Sequence, residues 1–143
     1  MDKSSNNSSS TLSDQTTVEG VFQNFQYAYT FRDTSIYGDL ISPNFVFTYH
    51  DYDNGYDVSW GRDEEMKTTY GLFQNSQNLN LIWNNIVLST QDSTSANIIR
   101  GFNLTITFSP TDVVTLNGRV NMSLVKASNN KWLITNWVDE SNF

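Results

Sequence analysis

From Leu79 onward the apolar residues recur at every second position, and this repetition constrains the fold more than any other feature of the chain. Three long segments carry it, about Leu79 to Thr90, Ser95 to Phe108 and Val113 to Ala127, followed by a closing segment from Trp132 to Glu140. Joined in order, they predict an antiparallel meander. The second segment places Ala96, Ile98, Phe102, Leu104, Ile106 and Phe108 on one side, and the third does the same with Val114, Leu116, Val120, Met122 and Leu124. Their other faces are Asn, Thr and Ser, so one face is apolar and one polar. The first segment changes parity, with Leu79, Leu81 and Trp83 followed by Ile86 and Leu88, which predicts a β-bulge near Asn84-Asn85 that bends the sheet.

Upstream the period is helical. Val18, Val21, Phe22, Phe25 and Tyr29 form an apolar stripe to about Arg32, and Thr16-x-x-Glu19 fits a capping box at its start. Asp33 or Thr34 caps a second short helix carrying Ile36, Tyr37, Leu40 and Ile41, which Pro43 should terminate. Phe45 to Asp53 and Tyr56 to Trp60 then read as strands joined by Asn54-Gly55, a pair suited to a two-residue type I′ turn. That turn sets Asp51 opposite Val58 and Tyr49 opposite Trp60, with Phe45, Phe47, Tyr49, Asp51, Val58 and Trp60 on one side. Thr48, His50, Tyr52, Asp57 and Ser59 take the other side. After Gly61, the run Asp63-Glu64-Glu65 suits the positive end of a third helix, continued by Met66, Tyr70 and Phe73.

This order of elements, with Trp60-Gly61 leading into the third helix and Trp132-x-Ile134-x-x-Trp137-x-Asp139 closing the sheet, resembles the nuclear transport factor 2-like superfamily over about Thr16 to Phe143. The resemblance implies an α+β fold with three N-terminal helices packed in the concavity of a curved, mixed to antiparallel sheet, a cone-shaped α+β barrel. It also implies a cavity used for a small apolar ligand and dimerisation through the sheet. Here the outer face departs from that pattern: Asn97, Asn103, Thr105, Thr107, Thr115, Asn117, Arg119, Asn121 and Ser123 make it polar, whereas obligate interfaces tend to be apolar. The parity of the last strand is open, because Trp132 and Ile134 oppose Trp137 and Asp139.

Residues 1–15, Ser- and Asn-rich with a single Leu, are too polar to offset their ordering entropy and are expected to be disordered, leaving one domain over 16–143. The tail resembles the tether of bacterial lipoproteins, which implies an exported, periplasmic or extracellular protein; an ordinary frayed terminus is the alternative.

Composition narrows the chemistry. A net charge of −7 with eight Lys plus Arg argues against nucleic acid as a partner, and no apolar run approaches the roughly 20 residues that span a bilayer. With no Cys and one His, thiol catalysis and Cys- or multi-His-ligated metals drop out, and nothing calls for a cofactor. Asp51-x-Asp53-Asn54-Gly55 departs from a calcium loop in its Gly position and in Arg62 at the expected Glu, so a hairpin turn accounts for it better.

The candidate site residues are Tyr49, Asp51, Trp60, Arg100, Trp137 and Asp139. Asp51 lies on the aromatic side of the hairpin, where desolvation would raise its pKa toward acid–base duty, although its place near the tip allows a solvated role. Arg100 is the one charge within an apolar alternation and needs a carboxylate or several carbonyls, with Asp51 and Asp139 as expected partners. Trp137 and Asp139 share a strand face. The leading expectation is a small-molecule-binding or interaction domain, its ligand apolar or anionic. The alternative is an isomerase, cyclase or dehydratase with Asp51 or Asp139 as general base, Arg100 as electrostatic stabiliser and Tyr49 as hydrogen-bond donor.

Overall fold

The computed structural model describes residues 11–140. Its elements are α1 (Val18–Phe31), α2 (Thr34–Gly38), β1 (Ile41–Asp51), β2 (Tyr56–Gly61), α3 (Arg62–Asn75), β3 (Asn78–Gln91), β4 (Ser95–Ser109), β5 (Asp112–Lys126) and β6 (Trp132–Asp139). Six strands form one open sheet in the order β2-β1-β6-β5-β4-β3. The sheet is mixed because β1 runs parallel to β6, while every other neighbouring pair is antiparallel. This is the expected α+β cone. Val21, Phe22, Phe25 and Ala28 of α1 are buried with Ile98, Met122, Leu124 and Ile134 of the sheet, as the two periodicities require. No helix among the described residues is long and apolar enough to cross a membrane.

Several local expectations shift. Thr17, not Thr16, caps α1, its hydroxyl accepting from the Gly20 N–H at 2.9 Å, while Thr16 donates to Asp14. Asp33 caps α2 as expected, but that helix stops at Gly38 and not at Pro43. Ile41 opens β1 instead, and the Leu40 carbonyl just before it accepts from Ile134 N at 2.8 Å. Pro43 then falls inside β1 at the irregular stretch between Ile41 and Val46, where its missing N–H removes no ladder bond.

The hairpin register slips by two residues, so Asp51 pairs with Tyr56, Tyr49 with Val58 and Phe47 with Trp60. A longer loop replaces the two-residue turn. The Asp51 carboxylate accepts from the backbone of Asp53 and Asn54 and from the Asn54 side chain, and Gly55 (φ 77°) donates its N–H to the Asp51 carbonyl at 2.7 Å. An Asx-type cap of this kind competes with the tight turn. A slip of two preserves facing, so both sides of the hairpin keep the expected residues.

Bulges settle the two parity questions. In β3 an extra residue lies between Trp83 and Ile86, as expected, and a second irregularity at Val87 sets Leu88 opposite Ile99, off the face that Ile86 shares with Arg100. In β6, Asn136 pairs with Ser123 and Ile134 with Leu124, which makes Thr135 the extra residue. Trp132 and Ile134 on one side of it, and Trp137 and Asp139 on the other, therefore all face inward.

Thr11 to Gln15, assigned to the tail by composition, pack on the domain: Gln15 is 4% exposed and its amide donates to the carbonyls of Asp39 and Trp132, both at 2.9 Å. Trp132 N donates back to the Gln15 carbonyl, so these backbone partners offset the ordering entropy that composition alone weighs. The rest of the tail call, residues 1–10, lies outside the described residues.

Candidate functional site

The cone encloses a cavity of about 320 Å³, partly open to solvent, between α1, α3 and the inner face of the sheet. Phe25 and Tyr29 line it from α1, Phe47 and Trp60 from the hairpin, and Trp83 and Phe102 from β3 and β4. Leu81, Leu104, Leu116 and Val120 complete the sheet side. The wall is overwhelmingly apolar, in the size range of small-molecule sites. A second groove of about 370 Å³, on the outside near Asp92, Asn97, Ser123 and Thr135, is polar and more open.

Four polar positions interrupt the apolar wall: Glu65, Thr68, Thr69 and Asp139. Among the described residues that line it, none is Lys, Arg or His.

Glu65 is the residue that sequence reasoning missed. It sits in the first turn of α3, 4% exposed, where the helix dipole favours a carboxylate. Three donors converge on it: the Tyr37 hydroxyl at 2.5 Å, Trp60 Nε1 at 2.8 Å and the Thr69 hydroxyl at 3.4 Å. The sequence marks it only as one of three acids at a helix start. The signal was available in the four-residue spacing of Glu65, Thr69 and Phe73, which puts the carboxylate on the buried stripe. Burial, reinforced by the charge of Glu65, holds the Tyr29 and Tyr37 phenols well above their ordinary range.

Trp137 is held edge-on against Phe47 and Phe25, with centroids 5.1 and 5.6 Å apart, while Trp60 stacks on Phe47 at 4.9 Å. The indole N–H of Trp137 is buried without a hydrogen-bond partner among the described residues. Native interiors rarely leave a donor in that state.

Of the six residues singled out in the sequence, Trp60, Trp137 and Asp139 line the cavity, and Tyr49, Asp51 and Arg100 do not. Tyr49 extends the aromatic row of the hairpin beyond it, 5.7 Å from Trp60. Asp51 is spent on the hairpin loop, where the bond from the Asn54 side chain, then that from its backbone, holds the carboxyl below its usual range, opposite to the expected rise. Arg100 pairs with neither expected aspartate. Its Nε donates to the Asn84 carbonyl, which the bulge frees, at 2.9 Å, and its Nη1 reaches Glu19 at 3.1 Å. Its guanidinium lies over the Phe22 and Trp83 rings, 5.0 and 5.8 Å from their centroids. Arg100 thus ties α1 to the bulged strand from outside the cavity. His50 lies on the polar hairpin face, its Nδ1 2.9 Å from Asp57.

No protein-family model matches this chain, and no curated protein matches it in sequence. Solved structures do match in shape. A nuclear transport factor 2-like superfamily protein from Salmonella enterica superposes with a TM-score of 0.69 at 15% identity, covering 86% of this chain and 87% of the other. A scytalone dehydratase candidate from Novosphingobium aromaticivorans gives 0.75 at 16% identity over 88% and 82%. A dehydratase candidate of the same fold from Streptomyces avermitilis gives 0.70 at 13% identity over 88% and 94%. At such identities the likeness concerns architecture, and it gives this chain the nuclear transport factor 2-like fold.

Proposed function

We propose that this nuclear transport factor 2-like cone binds a small, largely apolar molecule inside it. The observation that carries the reading is a cavity of about 320 Å³ walled by aromatic and aliphatic side chains, among them Trp137, whose indole N–H is buried without a partner among the described residues. Glu65, bonded to Tyr37 of α2 and Trp60 of β2, fixes α3 at the edge of this space. A ligand that brings one acceptor to Trp137 satisfies the donor that folding leaves bare.

The neutral dye phenylnaphthylamine, whose emission rises in apolar surroundings, tests this. Saturable enhancement is expected, and Leu116→Trp, which fills the half-buried mouth of the cavity, should abolish it without lowering the melting temperature. No enhancement with the wild-type chain, or full binding by the filled variant, would refute the reading.

An isomerase, cyclase or dehydratase reading keeps one supporting observation, Asp139 on the cavity wall. The stabiliser and donor it names, Arg100 and Tyr49, lie outside the lining, as does Asp51, the other candidate base. We therefore favour binding, with Asp139→Asn as the variant that would abolish any turnover detected.

A further inference from the structure

We propose that the ligand of this cavity is an organic cation, a protonated or quaternary amine with an apolar body and one oxygen acceptor. The inference rests on the binding reading above and names its ligand class.

Among the described residues the wall carries two carboxylates, Glu65 and Asp139, and no basic side chain. Glu65 is 4% exposed, and its hydrogen bonds come from the neutral donors Tyr37, Trp60 and Thr69. Neutral donors and the partial positive charge of the helix start stabilise the buried carboxylate but bring no full opposite charge, and a charge withdrawn from water without one is costly. An ammonium in the cavity supplies the missing sign.

The rings around the space act in the same sense. Phe47, Trp60, Trp83 and Trp137 line it, and cations are attracted to aromatic faces, most strongly to Trp. The chain already uses this chemistry on the far side of the same wall, where the Arg100 guanidinium lies 5.8 Å from the Trp83 centroid. The Trp137 N–H supplies the remaining specification, since it needs an acceptor that no described residue provides. A carboxylate or phosphate ligand would answer Trp137 but meet the buried Glu65 carboxylate in a site of low dielectric constant. A neutral ligand would fit the rings and leave Glu65 as it is. A cation with a hydroxyl or carbonyl oxygen answers both.

Trp60, Trp83 and Trp137 make intrinsic fluorescence a reporter of occupancy. The whole chain would be titrated with three matched compounds: benzyl(hydroxyethyl)dimethylammonium, the neutral alcohol with carbon in place of its nitrogen, and the carboxylate obtained by oxidising that alcohol. The expected result is saturable binding of the ammonium, at least about tenfold tighter than the alcohol, and none of the carboxylate. Asp139→Asn should reduce that preference severalfold, as should Glu65→Gln, and the first keeps the test decisive if the second fails to fold. Equal affinity for ammonium and alcohol, or no ammonium binding where phenylnaphthylamine binds, would overturn the cation inference and leave small-molecule binding standing. Failure of every probe, the dye included, would remove both.

Discussion

Tyr37→Phe isolates the bracing of Glu65 better than any other single change. The Tyr37 ring is fully buried and its hydroxyl meets Glu65 Oε2 at 2.5 Å, so the substitution removes one oxygen and opens almost no space. The loss is therefore the hydrogen bond itself. A buried bond to a charged acceptor contributes about 1.5–3 kcal/mol, and Glu65 keeps Trp60 and Thr69, which limits the penalty to roughly 2 kcal/mol. For a chain of this size that lowers the melting temperature by about 6–10 °C. Urea unfolding followed by tryptophan fluorescence measures it, with a double-mutant cycle to Glu65→Gln to show that the two groups act together. A loss below about 0.5 kcal/mol, or additive single and double variants, would mean that Tyr37 and Glu65 are neighbours without coupling.

Stability should also fall at alkaline pH. The folded pKa values of Tyr29 and Tyr37 lie above their unfolded values, so the stability they contribute is complete below about pH 10 and is lost as pH rises toward the folded values, at up to about 1.4 kcal/mol per pH unit for each phenol. Tyr37→Phe should flatten that decline, and an unchanged slope in urea melts between pH 9 and 11 would contradict it. Arg100→Ala should destabilise by about 1–2 kcal/mol through lost packing over Phe22 and Trp83, while Glu19→Ala, at a 66% exposed partner, should lose less than about 0.5 kcal/mol; equal losses would place the energy in the ion pair. Asp51→Ala should lower the melting temperature by loosening the hairpin loop and leave dye binding unchanged, so a loss of binding at constant stability would return Asp51 to the site.

The architecture was legible because it rests on periodicity. Long alternating runs such as Ala96 to Phe108 have one favourable way to bury their apolar side, and the stripe from Val18 to Tyr29 has one face with which to cover it. Facing survived even where register did not, since the hairpin slipped by two and the side-chain period is two. The site was less legible because its polar groups are defined by partners distant in sequence. Glu65 owes its burial to Tyr37 and Trp60, from two other elements, and the adjacent acids Asp63 and Glu64 disguised it. Arg100 was recognised as needing a partner, but its carboxylate comes from α1, and although the parity switch marks the bulge, it does not tell that the Asn84 carbonyl would meet Arg100.

Thr135 faces away from the cavity yet decides what the cavity contains. One supernumerary residue in β6 acts as a phase shift, rotating everything after it by half a pleat. Trp137 and Asp139 reach the interior only because of that offset. Comparison of this wall with those of similar cones therefore has to admit a single-residue gap at this point, since an ungapped alignment would match inward side chains with outward ones along the rest of the strand.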